Sequence, residues 1–144
     1  MKKRLVTFMK KVGVVLLSLL MLLTLCSCGT GQIADGLQLK SAGSEVYTEE
    51  EISDAAEVVL RIFQENFSGC TMTSLRYPGD QTSALQEWAE QYDADQAIVL
   101  TSSFDVEDPG SDSTLNPNST YDHWQWVLVR DEGGQWEAKT WGLG

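Results

Sequence analysis

Residues 48–144 read as one α+β domain in which N-terminal helices pack on a curved antiparallel sheet. Three features predict it. An acid-led amphipathic run opens the segment, an alternating run lies in its middle, and two aromatic runs around a glycine turn close it. Helices first and antiparallel strands afterwards favour a helix layer on a sheet layer over a doubly wound parallel fold.

The elements follow in order. Thr48 and Glu51 have capping-box spacing, and Glu49, Glu50 and Glu51 suit the positive end of a helix. Ile52, Ala55, Ala56, Val59, Ile62, Phe63 and Phe67 then recur at three and four. Together they predict a helix over 49–68, with Gly69 as its left-handed cap. Cys70 to Tyr77 is short and closed by Pro78-Gly79-Asp80, which predicts a strand ending in a turn. A second helix is expected at 82–92, with Ala84, Leu85, Trp88, Ala89 and Tyr92 on one side.

Over 96–106, Ile98, Leu100, Ser102, Phe104 and Val106 alternate with Ala97, Val99, Thr101 and Ser103, the period of a strand. Residues 107–120, dense in Asp, Ser, Pro and Asn, read as a loop. The runs 121–130 and 135–141 flank Asp131-Glu132-Gly133-Gly134 as a hairpin. Strict alternation would put Trp124, Trp126 and Leu128 on one face, with Tyr121, His123, Gln125, Val127 and Val129 on the other. In the second run, Trp136, Ala138 and Thr140 would oppose Gln135, Glu137, Lys139 and Trp141. No internal repeat is visible.

Upstream, Met1 to Arg4 and Lys10-Lys11 make a positive start, followed by an apolar run from Val12 to Leu25. That run is shorter than the roughly 20 residues of a membrane span and suits the apolar region of a signal peptide. Leu25-Cys26-Ser27-Cys28-Gly29 resembles the lipobox of bacterial lipoproteins. The small Ser27 before Cys28, and Leu25 three before it, favour Cys28 over Cys26. The resemblance implies cleavage between Ser27 and Cys28 and a lipid (diacylglycerol, with an added acyl chain such as palmitate) on Cys28. The expected organisation is a signal peptide over 1–27, a flexible tether over 28–47 and the domain over 48–144. The expected location is the extracytoplasmic face of the cell membrane, held by lipid.

Charge narrows the partners. The whole chain carries a formal net charge of −11, but the leader holds five of the ten basic residues and none of the 21 acidic ones. The mature chain keeps five positive against 21 negative charges, a formal −16. Such a surface repels nucleic acid, so nucleic-acid binding is excluded. Cys70 is left without an intramolecular disulfide partner once Cys28 is acylated, so packing must hold the fold.

The spacing W-x-W-x-L-V-R, turn, W-x-x-x-x-W-G over 124–142, with Gly69-Cys70-Thr71 and the run Leu115 to Tyr121, is similar to uncharacterised bacterial lipoproteins. Several such groups have a cystatin-like, nuclear-transport-factor-two-like cone. The resemblance implies that fold and supplies no activity or site residues.

Three constellations merit consideration as sites. Trp124, Trp126, Trp136 and Trp141 with His123 would line a pocket between helix and sheet, although such rings more often fill a core. Asp105, Glu107, Asp108 and Asp112, with Asn116, offer hard oxygen ligands for calcium, but without EF-hand spacing, so a solvated loop is expected. Catalysis would need a base paired with a nucleophile. Neither His123, whose neighbour Asp122 should point to the other face, nor Cys70 has such a partner in the sequence. The expectation is a non-catalytic binding module without a cofactor, recognising a small ligand or a cell-envelope protein. An enzyme using the pocket and a calcium-dependent module are the alternatives.

Overall fold

The structure, a computed structural model, describes residues 30–110 and 114–144. The leader over 1–27, the lipidation position Cys28 and the candidate ligand Asp112 lie outside the described residues. Six strands and two helices follow one another as β1 (Gln32–Ile33), β2 (Leu39–Ser41), α1 (Glu49–Asn66), β3 (Cys70–Tyr77), α2 (Thr82–Gln91), β4 (Gln96–Val106), β5 (Ser119–Arg130) and β6 (Glu137–Leu143). The α+β class and all six elements expected after residue 48 are present.

The sheet runs β1-β3-β4-β5-β6, with β2 also paired to β3. From β3 to β6 the pairs are antiparallel. Both β1 and β2 lie parallel to β3, so the sheet is mixed rather than purely antiparallel.

Those two short strands correct the reading of 28–47 as a flexible tether. Gln32 and Ile33 pair with Thr71 and Met72, and Leu39 to Ser41 with Leu75 to Tyr77. The Gly31 N–H donates to the Gln64 carbonyl at 2.9 Å, and a Cβ on Gly31 would stand 2.4 Å from the Phe63 carbonyl oxygen. Glycine is needed there for close approach to α1, not for looseness.

α1 forms as its sequence dictates. The Thr48 side chain accepts from the Glu51 N–H at 3.2 Å, and the Glu51 carboxylate accepts from the Thr48 N–H at 2.8 Å, completing the capping box. Its stripe Ile52, Ala55, Ala56, Val59 and Phe63 is buried. After the helix, Gly69 adopts φ +74°, and a Cβ there would fall 1.4 Å from the Asp108 carbonyl oxygen.

The two helices cover opposite faces of the sheet. Ala89 of α2 packs with Ala97 and Val129, whereas Phe63 of α1 meets Phe104 and Trp126, which alternate to the other side. Hence Trp126, Val127, Leu128 and Val129 are all buried in succession. The strand is sandwiched there, as continuous apolar runs in sheets usually are.

Three register irregularities spoil simple alternation. Asp122 and His123 together oppose Ser103 in β4, so Tyr121 pairs with Phe104 and stacks on it at 5.2 Å. Tyr121 therefore lies on the α1 side, not on the face expected for it. Lys139 is the extra residue in β6, which places Trp141 opposite Trp126 and sends Thr140 to the other side. Thr73 is the extra residue in β3.

Between α1 and the sheet the core is aromatic. Phe63 and Phe67 stack at 4.8 Å, and Phe67 lies 5.5 Å from both Phe104 and Trp126. Truncating Phe63, which is wholly buried, should remove both transfer energy and contacts. Phe63→Ala is expected to lower unfolding free energy by about 3–5 kcal/mol in equilibrium denaturation. A loss under about 1 kcal/mol would mean that the interior is loosely packed at this point.

Candidate functional site

The residues expected to line a pocket are scattered. Trp126 is fully buried, and its Nε1–H donates to Ser102 Oγ at 2.8 Å. Trp124 is half-buried among Phe67, Phe104 and Tyr121, its Nε1–H shielded from solvent without a hydrogen-bond acceptor. Trp141 covers Trp126 from the edge strand and stays 40 % exposed. Trp136 stands just before β6, and its Nε1–H donates to the Glu51 carbonyl at 3.0 Å. His123 is exposed on the far side of β5 from these rings. Phe63, Phe67, Phe104 and Trp126 occupy the helix–sheet interface, so the tryptophans serve as walls and filling rather than as one binding cavity.

Trp136 belongs to a cluster that fastens α1 to the sheet. The Arg130 guanidinium pairs with Glu51, donates to Gln96 Oε1 at 2.7 Å and lies 4.2 Å from the Trp136 ring centroid. Tyr47 closes the other side, its ring edge-on to Trp136 at 5.4 Å and its hydroxyl donating to the Ala97 carbonyl at 2.6 Å. The Thr48 backbone N–H and then the Arg130 guanidinium hold the Glu51 carboxyl below its ordinary pKa.

Asp80 makes a second fastening. It accepts from the hydroxyls of Ser44 and Tyr77 and from the Glu45 N–H. Burial raises its pKa, but these hydrogen bonds outweigh burial and leave it lowered. The Tyr77 phenol is pushed up, first by burial and then by its bond to Asp80. Sequence reasoning missed this cluster because Ser44 and Asp80 are 36 positions apart.

The described part of the acidic loop shows no gathered ligand set. Asp105 Oδ1 accepts from Thr120 Oγ1 at 2.7 Å, and Asp108 Oδ1 from the Gly110 N–H at 3.1 Å. Among the described residues, no three His, Cys, Asp or Glu side chains converge at metal-binding distance. Cys70 is buried at the start of β3.

Of the depressions among the described residues, three bear on the choice of a site. The largest, about 520 Å³, lies between α2 and the start of β4, lined by Val46, Leu85, Ala89 and Ala97. A second, about 360 Å³, sits over Arg130 and Trp136, but Arg130 is already committed to Glu51. The smallest of the three, about 200 Å³, has the richest chemistry, with Ser74, Arg76, Thr101, Ser103, Asp122 and His123 around it. It opens on the sheet face that α2 leaves uncovered. Arg76 pairs across the ladder with Thr101 on one side and with Lys40 of β2 on the other, so the two cations stand side by side. His123 holds φ +57° at the bulge, a left-handed backbone that Asp93 and Asn118 also adopt. This outer-face groove is the candidate site. Of its residues only His123 was expected at a site, and the expected tryptophan partners are absent from it.

No protein-family model, curated protein or solved structure matches the chain.

The lowered carboxyls of Glu51 and Asp80 fix a pH dependence. A carboxyl depressed in the folded state contributes stability above its unfolded pKa, and that contribution is lost as pH falls through its folded value. Unfolding free energy should therefore drop as pH falls below about 4. Asp80→Asn should be less stable at pH 7 and show a flatter acid limb in denaturation measured from pH 6 to 3. An unchanged acid limb would remove Asp80 from the account.

Proposed function

We propose that the chain is a lipid-anchored extracytoplasmic binding module that does no chemistry itself, displayed on the membrane through Cys28. The observation that carries this reading is the division of the two sheet faces. Aromatic rings fill the space under α1, while the groove around Arg76 and His123 faces solvent. An open polar groove suits reversible recognition of a small ligand or of an envelope component. The lipobox around Cys28 and the formal −16 of the mature chain are consistent with an exposed, soluble domain held at a membrane. Among the described residues, no helix is long and apolar enough to cross a membrane.

The long helix on one face of a sheet interrupted by three bulges is the feature that supports a cystatin-like cone. The parallel β1 and β2, and α2 on the opposite face, would be this chain's own additions. Because Gln32–Ile33 and Leu39–Ser41 pair with β3, the domain of this proposal begins at about residue 30. The tether is then only a few residues long, and the groove stands close to the head groups.

Expression of the full chain in a bacterial host tests the anchoring. The chain should appear in the membrane fraction, shortened by the leader and carrying lipid at its new N-terminus by mass spectrometry. Cys28→Ala should remain uncleaved and unlipidated. Wild-type chain in the soluble fraction at precursor length would contradict the proposal. For the binding role, the anchored chain in detergent micelles should bind isolated cell envelopes saturably. Binding that rises linearly with concentration would contradict recognition.

A further inference from the structure

We propose that the outer-face groove binds a small hydroxylated oxyanion, a sugar carboxylate or sugar phosphate, through Arg76 and His123 on its lining and Lys40 beside Arg76 on the neighbouring strand. This deepens the reading of the domain as a binding module and rests on it. Charge economy is the first support. The mature chain has five basic side chains, of which Arg130 and Lys139 pair with Glu51 and Glu137. Lys40 and Arg76, in contrast, are set opposite each other on β2 and β3, both exposed. Like charges on neighbouring strands destabilise a sheet, so folding gains nothing from this placement. An oxyanion bridging them would turn that repulsion into charge-assisted hydrogen bonds.

Backbone strain is the second support. His123 sits at the position of the β5 bulge where glycine would fit without cost, at φ +57°. Strain of this kind clusters at binding sites, where the surrounding structure holds it in place. His123 borders the same groove as Arg76 and can supply a further donor to an oxyanion.

The remaining groups select for a hydroxylated ligand. Ser74, Thr101 and Ser103 offer hydroxyls on the groove floor, and the Asp122 carboxylate can accept from a sugar hydroxyl. A volume of about 200 Å³ lies below the roughly 300 Å³ at which drug-sized pockets begin, so one ring is the right scale. The acidic surface beyond the groove is screened over about 8 Å at physiological salt, so the local cations decide the sign.

The test is titration of the anchored full chain in detergent micelles, followed by NMR shifts, with D-glucuronate, glucose 6-phosphate and D-glucose. At least one of the two anions should bind with Kd near 1 mM, and glucose at least tenfold more weakly. The stronger anion tells carboxylate from phosphate. Arg76→Gln should weaken that anion about tenfold and Lys40→Gln several-fold. His123→Gly should weaken it several-fold while Tm stays level or rises by up to about 5 °C, because glycine relieves the left-handed strain. Equal binding of anion and glucose, no binding of either anion, or full affinity in Arg76→Gln would overturn the proposal. If envelope binding then persists unchanged in Arg76→Gln, the ligand class is wrong and the binding-module reading survives. If wild-type chain binds neither envelopes nor probes, both fail.

Discussion

The rest of the structure depends on a stack of aromatic rings under one helix. Phe63 of α1 and Phe67 just past its end stack on each other at 4.8 Å and meet Phe104 of β4 and Trp126 of β5 at centroid distances of 5.5–6.5 Å. Burying such rings supplies a large share of the apolar stabilisation, and their edge-to-face contacts add to it. The stack also fixes which surfaces remain for function. With the α1 face filled and part of the opposite face under α2, the partly exposed strand surface around Ser103 is left open to solvent.

The two polar fastenings make that arrangement rigid at its ends. Arg130 joins the first turn of α1 to β4 and β5 through Glu51 and Gln96, with Trp136 and Tyr47 as its aromatic walls. Asp80 ties the segment before α1 to the end of β3. Each unites parts of the chain distant in sequence, and each uses ionised groups with several hydrogen bonds rather than isolated surface pairs.

Much of the fold was legible in the sequence because its signals are local. Thr48 and Glu51 announce a capping box that forms in full, and the alternation of 96–106 marks a strand that runs those same residues. The parallel strands β1 and β2 were not legible. Two or three residues carry no measurable period, and their pairing with β3 is a long-range contact. The faces of β5 and β6 were half legible. Alternation assigned Trp124, Trp126 and Leu128 correctly, then failed at Tyr121 and Trp141, where a bulge adds one residue and exchanges the sides. The candidate site was nearly invisible for the same reason. Lys40, Arg76 and His123 are far apart in the chain; only the ladder register sets Lys40 beside Arg76, and only the folded sheet brings Arg76 and His123 to one groove.

The central claim is that the helix–sheet interior is closed and that recognition belongs to the outer strand face. Hydrogen exchange of the tryptophan indole Nε1–H groups, followed by NMR, tests it most directly. Trp126 should exchange only at the rate of global unfolding, because it is buried and bonded to Ser102, while exposed Trp141 exchanges rapidly. Adding an apolar dye should leave the Trp126 rate unchanged. Rapid exchange at Trp126, slowed by the dye, would show an interior that opens to ligands and would contradict the account.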